Sequence, residues 1–148
     1  MANTFVNNII HIVFHTKSGG TTIAPEDMTR VHQYMGGIVK GTGCILMEIG
    51  GRPDHVHMLV SLSKTMSLSD FARTVKAESS RWIKSTNPQY AHFAWQEGYG
   101  AFSVSASVVP KVVQYIRNQE QHHQSKTFID EYKSFLDAYK INYDERFL

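Results

Sequence analysis

One stretch, residues 53–61 (Pro-Asp-His-Val-His-Met-Leu-Val-Ser), constrains the fold most strongly. In a β-strand, residues two apart point to the same face. One face of this predicted strand is apolar and comprises Val56, Met58 and Val60. His55 and His57 share the opposite face. Such a pair is either two histidines satisfied by hydrogen bonds at a sheet surface or two ligands of a divalent cation, and the pair alone leaves both open.

Length and composition indicate a single globular domain. The chain has 148 residues, of which 42% are hydrophobic, which predicts one domain over residues 1–148 with a buried core. The single cysteine, Cys44, excludes an intramolecular disulfide and a multi-cysteine zinc site, and is compatible with a cytoplasmic protein. We expect neither a signal peptide nor a membrane span. A net charge of +2 is too small to predict nucleic-acid binding, which must rest on local features.

The order of predicted elements indicates the fold class. Strands are predicted at residues 7–15, 44–49, 53–61 and 94–105, and helices at residues 25–40, 67–85, 110–121 and 128–139. This β-α-β-β-α-β order followed by two helices is typical of a ferredoxin-like α+β fold, with a four-stranded antiparallel sheet and helices on one face. The histidine strand is central in that topology. Its histidines are expected on the open face, joined by His11 and His15 if the first strand lies beside the third.

The helix predicted after Ser67 has two distinct faces. Ser67 is a suitable N-cap, and the apolar residues that follow it recur at helical spacing, as in a helix that packs on a core. Arg73, Lys76 and Lys84 cluster on the opposite face. A solvated polar face accounts for this cluster, and a basic stripe that follows phosphates is the functional alternative.

The third predicted helix contains Tyr115 and Gln119, which are four residues apart and therefore one turn apart on the same face. Each has an ordinary interpretation on its own. Tyr115 would be a core aromatic residue with a hydrogen-bonded hydroxyl, and Gln119 would be a surface residue. Their combination with the His-Val-His strand favours a functional interpretation.

Four stretches together resemble a known family. They are His-Ile-Val-Phe at residues 11–14, Gly-Arg-Pro-Asp-His-Val-His at residues 51–57, Gly-Tyr-Gly-Ala-Phe-Ser-Val-Ser at residues 98–105, and Tyr-Ile-Arg-Asn-Gln-Glu at residues 115–120. With this element order, the chain resembles the single-tyrosine HUH transposases of small bacterial insertion sequences, including their REP-associated relatives. The resemblance extends over nearly the whole chain.

The resemblance implies a transposase that nicks and rejoins single-stranded DNA through a 5′-phosphotyrosine intermediate. Tyr115 would be the nucleophile, and His55, His57 and Gln119 would hold Mg²⁺ or Mn²⁺. Mn²⁺ accepts imidazole more readily, whereas Mg²⁺ prefers oxygen. The sequence reveals no obvious base beside Tyr115.

This interpretation leaves alternative roles open for some neighbouring residues. His122 is an alternative to Gln119 as a ligand, whereas His123 is expected to point away. Asp54 either belongs to a turn or orients a histidine from behind.

The same resemblance implies the partners. They are single-stranded DNA, in particular the hairpin ends of a mobile element, and a second copy of the chain. Each active site of the homodimer would take its histidines from one subunit and its tyrosine helix from the other, with the small residues 105–109 as the connector. Expected phosphate contacts are Arg52, Arg73, Lys76 and Lys84, and expected base contacts are Tyr99 and Phe102, although Phe102 is better explained as a core residue.

Two other functions are compatible with the sequence. An HUH nickase would share the site without catalysing transposition, and rejoining of a cleaved strand would distinguish the two. A ferredoxin-like nucleic-acid-binding module without catalysis is the alternative from another class. Such modules stack bases on sheet aromatics, whereas here histidines take that face.

Overall fold

Four strands and five α-helices are present in the computed structural model, which describes residues 3–148. The strands are β1 (Ile9–His15), β2 (Ile45–Arg52), β3 (His55–Ser61) and β4 (Gly100–Ser103). The helices are α1 (Met28–Gly41), α2 (Leu68–Thr86), α3 (Val109–Arg117), α4 (Gln119–His122) and α5 (Phe128–Ala138). Short 3-10 turns lie at Pro25–Asp27, Pro88–Tyr90, Ala106–Val108 and Glu145–Phe147.

The strands form one antiparallel sheet in the order β2-β3-β1-β4. This order is the ferredoxin-like one, so the predicted α+β fold is confirmed. The central strands β1 and β3 pair so that Val13 lies opposite His57 and His15 lies opposite His55. The histidines of β1 and β3 therefore share one face of the sheet, as predicted.

The opposite face of the sheet packs against α1 and α2. Ser67 caps α2, where its hydroxyl oxygen accepts a hydrogen bond from the Asp70 amide at 3.1 Å. Apolar side chains from the sheet and both helices form the main core, with Ile12, Met35, Met58, Phe71 and Val75 essentially inaccessible to solvent. Burial of this apolar area is the principal stabilisation of the fold.

The histidine face is not open, and that expectation is wrong. Helices α3, α4 and α5 fold back over it and form two smaller apolar clusters. One joins Ile9 and Leu59 to Ile116 of α3. The other joins Val13 and Phe102 to one side of α5. The physical reason is that β1 and β3 also carry Ile9, Val13 and Leu59 on the histidine face, so both faces need cover from water.

Two elements depart clearly from the predictions. β4 covers only Gly100–Ser103, and the earlier part of the predicted strand makes a single bridge between Trp95 and Thr16. The predicted helix of Tyr115 is divided, because Asn118 leaves the helical conformation between α3 and α4. Within the described residues, no helix has both the length and the apolar character needed to span a membrane.

Candidate active site

The two histidines of β3 lie at the centre of the buried second face. His55 is 2% exposed and His57 is inaccessible to solvent. The Nε2 atom of His11, on the neighbouring strand, is 2.8 Å from Nδ1 of His57. The strand pairing therefore provides a rigid group of imidazoles before any helix is added.

Glu131 of α5 connects the histidines to the tyrosine. The Nε2 atom of His57 donates a hydrogen bond to Oε1 of Glu131 at 2.9 Å, and Nε2 of His55 is 3.8 Å from the same oxygen. The Tyr115 hydroxyl donates a short hydrogen bond to the other oxygen, Oε2. The Gln119 amide nitrogen also donates to Oε2, at 3.2 Å. One buried carboxylate thus links β3, α3, α4 and α5.

Asp54 orients His55 from the β2–β3 hairpin. The Asp54 carboxylate accepts a hydrogen bond from Nδ1 of His55 at 2.7 Å. This bond is the largest cause of a lowered pKa for the Asp54 carboxyl group. Because Nδ1 carries the proton, Nε2 of neutral His55 presents its lone pair to the site.

Burial and mutual contacts set the charges in the site. Burial lowers the pKa of His57, although the Glu131 carboxylate opposes this effect. Burial alone would raise the pKa of Glu131, but hydrogen bonds from His57 and Tyr115 outweigh it and hold that pKa well below its usual range. Burial and the bond to Glu131 raise the pKa of Tyr115 well above its usual range. In this arrangement the proton stays on the phenol.

The donor atoms at the centre of the site suit a divalent cation. One ligand atom from each of His55, His57 and Glu131 lies within 4.8 Å of the others. The Gln119 carbonyl oxygen is 2.9 Å from Nε2 of His55. Two imidazoles with a carboxylate and an amide oxygen form a donor set that fits Mn²⁺ or Mg²⁺ better than two imidazoles and an amide alone, because both ions favour anionic oxygen.

Comparison with known proteins gives the family. The sequence matches the family described as "Transposase IS200 like" over residues 4–119. The chain belongs to this family. A curated relative, the ISDra2 transposase TnpA of Deinococcus radiodurans, is 30% identical over 84 residues. That match covers 53% of this IS200-like transposase and 59% of the relative, so the chain spans less than two thirds of the relative's length.

Two solved structures have the same fold as this IS200-like transposase. A candidate transposase of Deinococcus radiodurans R1 has a TM-score of 0.61 at 23% identity, covering 80% of this chain and 96% of that one. A REP-associated tyrosine transposase bound to a REP hairpin has a TM-score of 0.62 at 11% identity, covering 83% of this chain and 73% of that one. The expected membership of the single-tyrosine HUH transposases is confirmed, and the buried His55–His57–Glu131 cluster is consistent with an HUH site.

The structure brings together the residues that the sequence assigned to catalysis and to the metal. Tyr115, His55, His57 and Gln119 all contact Glu131 or one another. The break at Asn118 does not separate Tyr115 from Gln119, whose amide nitrogen is 3.5 Å from the Tyr115 carbonyl oxygen. The side chain of His122 lies outside the part of the chain that the structure describes.

Of the four residues assigned to DNA contact, Arg52 lies next to the site, whereas Arg73, Lys76 and Lys84 lie on α2, across the sheet from it. Arg52 lies opposite His55 in the β2–β3 pairing. Arg73 is exposed and paired with Asp70 at 2.6 Å. Lys84 is exposed near the end of α2. The Lys76 ammonium group donates to the carbonyl oxygens of Gln96 at 2.8 Å and Gly98 at 2.6 Å, so it holds the segment before β4.

Sequence reasoning missed Glu131 and was wrong about His123. The expectation that His123 points away fails, because its Nε2 atom is 3.1 Å from the Gln119 carbonyl oxygen. A signal for Glu131 existed in the sequence. It lies between Phe128 and Tyr132 on the apolar side of α5, where an acidic residue needs a buried partner.

Proposed function

We propose that this protein cuts and rejoins single-stranded DNA, with Tyr115 as the nucleophile and a divalent cation held by His55, His57, Gln119 and Glu131. The observation that carries the proposal is the convergence of the tyrosine hydroxyl and both β3 histidines on one buried carboxylate. A solvated tyrosine or an ordinary core tyrosine does not require two buried histidines and a shared carboxylate beside it. Membership of the IS200-like transposases supports DNA strand transfer as the activity.

The reaction conserves the energy of the phosphodiester bond. The Tyr115 oxygen forms a bond to a backbone phosphorus, the bond from that phosphorus to the 3′ oxygen breaks, and the departing 3′ oxygen takes a proton. The products are a 5′-phosphotyrosine and a free 3′-hydroxyl group. A 3′-hydroxyl group can reverse this step on the same or another strand, so rejoining needs no ATP.

Activation of Tyr115 requires a change from the arrangement described above. The phenol donates to Glu131 and its pKa is raised, so it is a weak nucleophile in this state. A divalent cation bound at this site would neutralise phosphate charge and favour the deprotonated phenol. Glu131 is the nearest oxygen base to the hydroxyl hydrogen, and the sequence alone did not reveal a base.

DNA has two clefts by which to approach the site. One, of about 360 Å³, lies between β2 and α3 and is lined by Arg52, Arg117 and Gln119. The other, of about 300 Å³, lies beside the β2–β3 hairpin and is lined by Lys17, Asp54 and Phe128. Tyr115 is partly exposed, whereas His55, His57 and Glu131 are each at most 3% exposed, so a phosphate that reaches the proposed cation must displace part of the helices that cover it.

We further propose hairpin-forming ends of a mobile element as the substrate. Support comes from the REP-associated relative, whose structure is described as bound to a REP hairpin. Arg52 and Arg73 are our leading candidates for phosphate contacts, because Arg52 lines a cleft and Arg73 is exposed. Lys84 is a peripheral candidate, and Lys76 would have to leave its two carbonyl partners to contact DNA.

Covalent trapping tests the proposed function. Wild-type protein, incubated in Mn²⁺ with hairpin oligonucleotides that carry randomised single-stranded flanks, should form a denaturation-resistant protein–DNA adduct. Tyr115→Phe should form none, because the nucleophilic oxygen is absent, while its affinity for the oligonucleotides stays within about twofold of wild type. Tyr34→Phe, an exposed tyrosine on α1, is the matched control and should react as wild type.

Mass spectrometry of the adduct decides the assignment. A DNA-linked peptide containing Tyr115 is the expected result. A link to Tyr99 or Tyr143, or an undiminished adduct with Tyr115→Phe, contradicts the assignment of the nucleophile.

A further inference from the structure

His123 lies at the edge of the proposed metal site. Its Nε2 atom is 3.1 Å from the Gln119 carbonyl oxygen and 3.4 Å from Oε1 of Glu131. Its ring centroid is 4.6 Å from that of His55, and its side chain is only 10% exposed. A third imidazole therefore reaches the same small volume from the segment that joins α4 to α5.

Hydrogen bonds fix which nitrogen of His123 carries the proton. Nδ1 of His123 is 2.6 Å from the Lys126 carbonyl oxygen, which can only accept, so Nδ1 is the donor. The same reasoning applies to Nδ1 of His55 and the carboxylate of Asp54. In their neutral forms, both imidazoles direct the Nε2 lone pair towards Gln119.

Gln119 does not supply a hydrogen to either lone pair. Its amide nitrogen donates to Oε2 of Glu131 at 3.2 Å and lies 3.5 Å from the Tyr115 carbonyl oxygen. Its carbonyl oxygen therefore faces His55 and His123. Four groups therefore direct lone pairs at one another: two imidazoles, an amide oxygen and a carboxylate. Such a cluster needs positive charge, either as protons on both imidazoles or as one metal ion.

We propose that His123 is a further ligand of the divalent cation, beside His55 and His57; this rests on the proposed metal-dependent function. The hydrogen bond that each ring makes through its Nδ1 atom favours a metal ion over two protons as the source of this positive charge. Metal-ligating histidines typically donate their second ring N–H to a carboxylate or a backbone carbonyl, as His55 does to Asp54 and His123 does to Lys126. Three imidazole nitrogens favour Mn²⁺ over Mg²⁺.

Metal binding without DNA tests the proposal. We expect calorimetric titration of Mn²⁺ into the full-length protein to show that His123→Ala weakens binding at least about tenfold, as loss of a ligand should. The matched control is His92→Ala, which replaces an exposed histidine just after the 3-10 turn Pro88–Tyr90. It should bind Mn²⁺ as wild type does. His123→Gln keeps a side chain of similar length, so it tests whether the loss of Mn²⁺ affinity in His123→Ala comes only from disturbed packing.

Pulsed electron paramagnetic resonance counts the coordinating histidines directly. In Mn²⁺-loaded protein with ¹⁵N-labelled histidine, we expect three coupled imidazole nitrogens in wild type and two in both His123 variants. Two coupled nitrogens in wild type, or unchanged Mn²⁺ affinity in His123→Ala, overturns the proposal.

The outcome is separable from that of the proposed function. Three coupled nitrogens together with a Tyr115→Phe protein that still forms the DNA adduct would support the ligand and reject the nucleophile. A wild-type protein that binds no Mn²⁺ would overturn the ligand proposal.

Discussion

At the residue scale, the site combines histidines that burial keeps neutral. The pKa of His11 is lowered to about 3, mainly by burial and also by the neighbouring His57, while Glu131 opposes the shift. His57 also has a lowered pKa, for which burial is again the largest cause. Neutral imidazoles can bind a metal, whereas protonated ones cannot, so the burial that keeps His57 neutral suits its proposed role as a ligand.

The lowered pKa values predict how stability depends on pH. Unfolded His11 takes a proton below about pH 6.5, but folded His11 does so only near pH 3. Between these values the unfolded chain binds more protons, so the free energy of unfolding should fall as the pH falls, by up to about 1.4 kcal/mol per pH unit for each such histidine. Urea denaturation in chelator from pH 7 to pH 5 measures this slope.

His11→Asn should reduce the slope by up to the contribution of one proton, whatever its effect on stability at neutral pH. An identical slope in wild type and His11→Asn would show that His11 does not stay neutral in the folded state.

At the element scale, the position of Tyr115 depends on close contact between α3 and β2. A Cβ atom built on Gly50 would lie 2.5 Å from the carbonyl oxygen of Ile116 and 3.0 Å from its Cγ2 atom. Only glycine therefore lets the end of α3 approach β2 this closely. Since Tyr115 directly precedes Ile116, this contact also positions the proposed nucleophile over β3.

Gly50→Ala should displace α3 and impair catalysis more than binding. The clash is with backbone, which cannot rotate away, so we expect a loss of about 1–3 kcal/mol in the free energy of unfolding and a large loss of adduct formation at saturating oligonucleotide. Gly37→Ala is the matched control, because an exposed glycine within α1 has no atom within 4 Å of the added Cβ.

The control should gain about 0.5–1 kcal/mol through the helix propensity of alanine and leave adduct formation unchanged. Denaturation and adduct yield measure both variants. Full adduct yield in Gly50→Ala would mean that the α3–β2 contact does not position Tyr115.

At the scale of the whole molecule, a complete set of site residues comes from one chain. The histidines lie on β3, Tyr115 on α3, Gln119 on α4 and Glu131 on α5, all packed on the same sheet. The segment 104–108 connects β4 to α3, and most of its residues are exposed. Exchange of α3 between two copies at this connector would rebuild the same contacts across subunits at low cost. The homodimer with shared sites stays a prediction.

Mixed dimers distinguish shared sites from sites built within one chain. Co-expressed His57→Ala and Tyr115→Phe subunits, separated by tags, should regain adduct formation if sites are shared, which is the result we expect. One of the two sites would then combine an intact His57 with an intact Tyr115, whereas sites within single chains would each lack one group. No adduct from mixed dimers, or a monomer by light scattering, would support the single-chain arrangement described above.

Local sequence patterns suffice to predict the element order, the sheet and the pairing of functional residues along each element. Alternation placed His55 and His57 on one face of β3, and Ser67 marked the start of α2. These features are local, since they follow from the period of a strand and from the unsatisfied amides at a helix start. The family resemblance then added Tyr115 and Gln119.

The cover of the histidine face and the residues that complete the site depend on long-range packing. Periodicity shows which side of an element is apolar, but it does not identify the element that packs there. The apolar Ile9 and Val13 share the histidine face of β1 and need cover from water, and that cover forms because α3, α4 and α5 fold back over the face. Glu131 and His123 join His57 and His55 across long separations in sequence, because packing of α5 brings them together and no local pattern encodes that contact.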